Sequence, residues 1–331
     1  MTAEAAVALV GAGVTGARIA DSVAAAGARL YVVDRRRDHA DAVARATGAT
    51  VTTIEQIDDV RVAVLAMPAP HAALAKTLLK RGTSVVSLSD DVDDVTELLE
   101  LQPLADVNNA SLVVGAAMAP GLSGLLARHL VTQLVDVDEI HVAMHGTGGP
   151  ACARQHHRAL GGTSIGLHDG EWIRRPAGAG RELCWFPEPI NSYDCYRAEM
   201  PEPLLLNRVF PSVLRMSARI SATRRDRLTA RLPMLRPPHR EGGIGAVRVE
   251  VRGALATGER ETLIAGTAVR SGFAAARVAA AMTRWAMSDD AFSGLVVLGD
   301  ERLPNTELLD FVRAGGVGLF EFTGQLRGDG I

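Results

Sequence analysis

Lysine is almost missing from this sequence. Only Lys76 and Lys80 break an otherwise all-arginine set of 35 basic residues. A guanidinium keeps its proton near neutral pH whereas a buried lysine gives one up, so most of the positive charge can hold anions but cannot do acid–base work. The three cysteines, Cys152, Cys184 and Cys195, are an odd number without a CxxC pair. That excludes a disulfide framework or zinc ribbon and fits a reduced, cytoplasmic protein. No apolar run approaches the ~18 residues of a membrane span. The start, MTAEAAVALVGAG, has no basic segment and reads as a strand, not a signal peptide. A net charge of -3 and a pI of about 6.3 argue against nucleic acid as a partner, since such domains usually lie above about pI 9. With 331 residues, 47% of them hydrophobic, the chain has length for two globular domains at roughly 150 residues each.

What is present is concentrated at the start. An apolar run, Ala5 to Val10, leads into Gly11-Ala12-Gly13-Val14-Thr15-Gly16 and an alanine-rich helical stretch that ends at Gly27. Gly11 permits a tight turn, Gly13 lets a pyrophosphate reach the backbone, and Gly16 lets helix and strand pack closely. The helix start at Val14 and Thr15 offers free N–H groups and a positive dipole end to phosphates. A second apolar run, Arg29 to Val33, ends in Asp34, 18 residues beyond Gly16, where a carboxylate can accept both ribose hydroxyls. Asp34 repels a 2′-phosphate and favours NAD. Arg35, Arg36 and Arg37 follow at once and could hold that phosphate, so NADP stays open beside a slight lean to NAD.

Further strands at 51–53, 61–66 and 83–88, with a helix over 72–81, predict an α/β fold built on a Rossmann doubly wound parallel sheet. Ligands of such a sheet sit at the carboxyl ends of its strands. Ala66, Met67, Pro68 and His71 stand at one such end and are expected to line the inner half of the cofactor. Ser87, Ser89, Asp90 and Asp91 stand at the next. The acids Asp90, Asp91, Asp93 and Asp94 read first as a helix start favoured by the dipole.

The stretch from Val85 to Leu130 contains Gly115, Pro120, Gly121, Leu122 and Ser123 as a Gly-x-x-x-x-Pro-Gly-Leu-Ser turn opening a helix. It resembles the saccharopine dehydrogenase-like oxidoreductases. The tail, with Leu303-Pro304 and then Glu307-Leu308-Leu309, is similar to the closing helix of that family. The resemblance implies a Rossmann domain over 1–125, to which 290–331 returns. It also implies a substrate-binding and dimerisation α+β domain over 126–289, and hydride transfer to or from a carbon bearing nitrogen. Several relatives use a lysine as proton donor or clamp, and sugar dehydrogenases of the Gfo/Idh type place Glu-Lys-Pro after the fifth strand. Here that point reads Ser87-Leu88-Ser89-Asp90, while Lys76 and Lys80 lie on the preceding helix. The proton donor must be sought among His, Tyr, Asp, Glu and Cys.

The middle of the chain supplies candidates. The run 139–145 reads as a strand with His141 and His145 on one side, followed by a glycine-rich loop and a helix carrying Cys152, Arg154, His156 and His157. Hairpins over 163–175, turning at Asp169-Gly170, and 246–269, turning near Thr257-Gly258, predict an open mixed sheet with helices on one face. The other face is expected to meet a partner subunit in a homodimer. His145, His156 and His157 are the candidate catalytic residues, since imidazole titrates near neutrality. Arg154 is the candidate carboxylate clamp, with Tyr193 and Asn191 as further substrate contacts. No metal site is expected, because no HxxxH pairs with a carboxylate or thiolate. The segment 221–240, rich in Arg and Pro, reads as a surface connection, and Ser271 as the N-cap of a helix over 271–287. These readings converge on a cytoplasmic NAD(P)-dependent dehydrogenase or reductase acting on a small carboxylate-bearing substrate, an imine or amino acid derivative. The alternative is a non-catalytic dinucleotide-binding sensor or scaffold.

Overall fold

The computed structural model describes residues 6–57, 60–234 and 237–322. Short aliphatic runs closed by glycines or polar turns form seven strands of one sheet: β1 (Ala6–Val10), β2 (Arg29–Val33), β3 (Thr50–Val51), β4 (Val62–Leu65), β5 (Ser84–Ser87), β6 (Ser111–Val114) and, from the far end of the chain, β15 (Gly294–Val297). Every pairing is parallel and the order is β15-β6-β5-β4-β1-β2-β3. Helices α1 (Val14–Ala25), α2 (Arg37–Thr47) and α6 (Leu122–Val131) cover one face; α3 (Ala72–Leu79), α4 (Val92–Leu99) and α5 (Gln102–Val107) cover the other. Burial on both faces is why β1 and β4 read as continuous apolar runs without alternation. The sheet is the doubly wound one that the sequence pattern predicts.

The second sheet is mixed. Its elements in chain order are β7 (Asp136–His145), α7 (Pro150–Ala159), β8 (Thr163–His168), β9 (Glu171–Pro176), β10 (Glu182–Trp185), β11 (Ser192–Arg197), α8 (Glu202–Val209), β12 (Arg215–Ser221), α9 (Arg224–Thr229), β13 (Ile244–Ala254) and β14 (Arg260–Arg270). After them come α10 (Ser271–Met287), α11 (Asn305–Ala314) and β16 (Phe320–Phe322). The order is β10-β11-β12-β7-β13-β14-β16, with the β8–β9 hairpin attached to β12. Asp169 and Gly170 both take positive φ, 51° and 80°, the backbone of the two-residue hairpin turn expected there. Ile140, Val142 and Met144 of β7 join the core that contains α1, α6 and α10. Their alternate neighbours His141, Ala143 and His145 look the other way. This sheet therefore has helices on one face only.

Two expectations about secondary structure change. Arg270, not Ser271, is the N-cap of α10, and Ser271 stands inside the helix with a buried hydroxyl that has no partner among the described residues. The 221–240 segment is not a plain connection: Thr223 and Asp226 form a capping box that starts α9, and Arg227 stacks on Tyr196 at 4.0 Å.

His71 also departs from its expected place beside the cofactor. Its ring is 0% exposed. Nε2–H donates to the Met67 carbonyl at 2.9 Å and Nδ1 accepts from the Ser87 hydroxyl at 2.8 Å, a tautomer assigned from those partners. The ring thus ties the ends of β4 and β5 together from within. Burial holds the imidazole below its ordinary pKa, against the opposing pull of the Met67 carbonyl, Asp94 and Asp90. The unfolded chain takes up this proton more readily than the folded one. The contribution of His71 is therefore present above about pH 6.5 and fades as the pH falls below it. Melting curves of the wild type and His71→Gln should draw together between about pH 7.5 and pH 5; a constant gap would refute the neutral buried ring.

Candidate active site

The half of the candidate site expected to hold the cofactor is built by backbone. Gly11 takes φ 104°, and a Cβ there would lie 2.5 Å from the Met67 nitrogen and 2.7 Å from the Ala66 carbonyl carbon. The β1 turn and the β4 end therefore meet at van der Waals contact, and Pro68 follows directly. A Cβ on Gly16 would overlap the Gly11 carbonyl oxygen, while one on Gly13 would meet nothing within 4 Å. The loop is closed behind and open in front, as a pyrophosphate approaching Gly13 needs. α1 begins at Val14 and Thr15 without a side-chain cap, so its first N–H groups are left for an anion. Asp34 hangs on this loop, accepting from the Ala12 N–H at 2.6 Å and the Arg36 N–H at 2.8 Å. Arg36 pairs with Asp38 and Arg37 with Asp41. Arg35 is exposed and has no ion pair among the described residues.

The other half comes from α7 and α8. After β7 the loop Gly146–Gly149 crosses to α1: a Cβ on Gly148 would lie 3.8 Å from Thr15 Oγ1, and one on Gly149 3.8 Å from Val14 Cβ. This crossing delivers the start of α7 to the carboxyl end of β5. There Cys152 Sγ lies 3.6 Å from His156 Nε2, and His156 Nε2 lies 3.7 Å from Asp90 Oδ2. Cys152 and His156 are four residues apart and so share one helix face. Gln155 Nε2–H donates to Asp91 Oδ2 at 2.9 Å, fixing α7 to the β5–α4 loop. Glu202, at the first turn of α8, is 1% exposed and neither carboxylate oxygen has a hydrogen-bond partner among the described residues.

These groups perturb one another. Burial pushes the Glu202 carboxyl up to about 7, and the nearby Asp90 adds to the rise, against the pull of His156. Burial also raises Asp90. For His156 burial works against the charged form, yet Cys152, Asp90 and Glu202 outweigh it and push the imidazole up to about 9. A cluster of coupled, shifted groups at the carboxyl end of a parallel sheet is the pattern of a chemical site.

Comparison with known proteins gives the fold a reference. The FAD binding domain family model matches residues 4–131. No curated protein matches the chain by sequence. Among solved structures, apo saccharopine dehydrogenase (L-Glu forming) from Saccharomyces cerevisiae superposes over 96% of this chain and 100% of its own, with a TM-score of 0.73 at 13% identity. The fold is that of saccharopine dehydrogenase. A myo-inositol dehydrogenase from Corynebacterium glutamicum matches 94% of this chain and 95% of its own, with a TM-score of 0.48 and 13% identity. The WlbA dehydrogenase from Bordetella pertussis, in complex with NADH and UDP-GlcNAcA, matches 94% of this chain and 96% of its own, with a TM-score of 0.45 and 15% identity.

Within the saccharopine dehydrogenase fold the residues singled out in the sequence fall into three places. His156 joins Asp90. His157 turns away, its Nε2–H donating to the Leu232 carbonyl at 3.0 Å. Arg154 is exposed, two residues from both Cys152 and His156 and so on the opposite side of α7; it does not face the cluster. His145 and Tyr193 do meet, with ring centroids 4.2 Å apart and the Ser221 hydroxyl 2.8 Å from His145 Nδ1, but on the helix-free face of the second sheet. Burial there lowers the His145 pKa. Asn191 is exposed and takes φ 62° in the β10–β11 turn, where its carbonyl accepts from Phe186 N–H at 2.8 Å.

Sequence reasoning did not assign Asp90, Cys152 or Glu202 to the site, although it placed Asp90 at a strand end and Cys152 on the helix of His156. The acid run splits by role: Asp91 caps α4 and Asp94 caps α3 by accepting from the His71 and Ala72 N–H groups at 2.7 and 2.9 Å. Asp93 is exposed, and Asp90 is left to face His156. The expectation of no metal site rested on the absence of HxxxH, yet Cys152 and His156 supply the same i,i+4 spacing with a carboxylate at hand.

Proposed function

We propose that the chain is an NAD(P)-dependent oxidoreductase whose chemistry takes place between Asp90, Cys152, His156 and Glu202. The observation that carries this reading is the delivery of His156 to the carboxyl end of β5, beside an open glycine loop with its acid in place. Gly11, Gly13, Gly16 and Asp34 would hold the dinucleotide, with Val14 and Thr15 meeting its phosphates and Ala66, Met67 and Pro68 its inner half. When bound, a nicotinamide supplies or accepts the hydride. His156 Nε2 exchanges the matching proton with the substrate nitrogen, and Asp90 and Glu202 balance the charge of an amine or iminium. The substrate class is a small imine or amino acid derivative bearing a carboxylate. Arg154 faces away and is not assigned to that carboxylate.

Oxidation of NADH or NADPH by imines formed from 2-oxo acids and amines tests the reading. Cofactor binding without turnover across such a panel would favour a sensor or scaffold, and a visible flavin chromophore in the purified protein would support the family-model match over a nicotinamide. NADH is expected to bind more tightly than NADPH, because Asp34 already sits at the loop. Asp34→Ala should weaken NADH by about 1.5–3 kcal/mol, the worth of hydrogen bonds to a charged group, whereas Arg35→Ala should weaken only NADPH. Equal losses for both cofactors in both variants would contradict this division of labour.

The same reading takes the chain as two domains, 1–125 and 126–289, with the last segment reaching the first sheet through β15 and the second through β16. It also places the protein in the cytoplasm as a homodimer joined through the helix-free sheet face, at whose edge Phe320, opposite Gly266, is half exposed. Sedimentation analysis reports the oligomeric state.

A further inference from the structure

We propose that Asp90, Cys152 and His156 bind one divalent cation of the zinc class. The three donor atoms lie within 4.8 Å of one another. A tetrahedral zinc, with Zn–S about 2.3 Å and Zn–N or Zn–O about 2.0–2.1 Å, sets its S–N edge at about 3.6 Å and its N–O edge at about 3.4 Å. The edges found are 3.6 Å from Cys152 Sγ to His156 Nε2 and 3.7 Å from Nε2 to Asp90 Oδ2. The two edges that meet at Nε2 already stand within about 0.3 Å of coordination geometry.

Hydrogen bonding explains only part of this arrangement. The Cys152 thiol lies within reach of Nε2, but the His156–Asp90 separation exceeds bonding reach. His156 also turns a single ring nitrogen to both the thiol and the carboxylate, and that nitrogen carries at most one proton. One cation satisfies all three groups together. A thiolate and an imidazole with one carboxylate select zinc over magnesium or calcium, which take oxygen ligands.

A second observation points the same way. Glu202 is 1% exposed with both oxygens unpartnered among the described residues, and it lies within electrostatic reach of His156 and Asp90. A buried carboxylate without a partner is costly, and a dication beside it supplies the missing counter-charge. The ion takes the Nε2 lone pair that proton exchange uses, so zinc binding switches the enzyme off until the metal is withdrawn. That consequence rests on the role given to His156 above; the binding itself does not.

Metal-free protein dialysed against zinc buffered near about 1 µM free ion should retain one ion per chain by elemental analysis. Cys152→Ser and His156→Gln should each weaken binding at least about tenfold, while Arg154→Gln, on the exposed side of the same helix, should retain it. A wild type that holds no zinc, or cluster variants that bind as well as the wild type, overturns the site. Cobalt(II) bound to the wild type gives a readout independent of whether variants fold: a sulfur-to-cobalt charge-transfer band is expected, and its absence overturns Cys152 as a ligand. Bound zinc with undiminished turnover would leave the metal site standing and overturn the proton-exchange role of His156.

Discussion

Gly16→Ala is expected to abolish dinucleotide binding and to destabilise the fold by about 3 kcal/mol or more. The added methyl would overlap the Gly11 carbonyl oxygen, and that oxygen has no room to retreat. Gly11 is held by its N–H donating to the Val33 carbonyl at 2.8 Å and is pressed against the Ala66–Met67 backbone on its other side. Relief must come from displacing α1, whose Ile19, Ala20 and Val23 are buried in the core shared with α10. Close packing makes such displacement costly. Gly13→Ala separates the two effects. Its methyl meets nothing within 4 Å, so the fold should keep its stability while the pyrophosphate loses its approach to the backbone. Chemical denaturation measures the first quantity and thermal shift with NADH the second. A Gly16→Ala protein that binds NADH normally would mean that the glycine loop is not the cofactor cradle.

The geometry of the glycine loop was legible because its requirements are local. Gly11, Gly13 and Gly16 lie within six residues, and Asp34 reaches the loop through a strand of fixed direction. The two hairpins were legible for the same reason, since Asp169-Gly170 and Thr257-Gly258 carry their turn chemistry with them. The proposed chemical half of the site depends on contacts that no local pattern carries. Asp90 differs from Asp91 and Asp94 only in what faces it: they cap α4 and α3, and it meets a helix that begins 60 residues later. Glu202 sits at a helix start where an acid needs no explanation beyond the dipole. Its burial follows from α8 packing on the Gly115–Pro120 turn, where Leu205 would stand 3.0 Å from a Cβ on Gly115. The Cys152–His156 spacing was visible in the sequence, but nothing there indicated that a carboxylate stood beside it. His145 and His156 looked equivalent as residues. The side of the sheet that each occupies separates them.

That separation sets the second large effect. His156→Gln is expected to lower turnover by about 10²–10⁴-fold, the usual worth of a positioned general acid or base, with little change in cofactor affinity. Glutamine keeps much of the volume and can still contact Cys152 or Asp90, but its amide cannot pass a proton. The helix should stay in place, because α7 is anchored independently by Gln155 on Asp91 and by its glycine-loop entry against Val14 and Thr15. The loss should therefore fall on kcat and leave KM nearly unchanged. His157→Gln and His145→Gln are the matched comparisons. The first loses only a hydrogen bond to the Leu232 carbonyl; the second loses one with Ser221 on the helix-free sheet face. Both should stay within a few-fold of wild type. If His145→Gln proved the damaging change while His156→Gln turned over normally, the chemistry would belong on the sheet face beside Tyr193, and Asp90, Cys152 and Glu202 would need another reason for standing together.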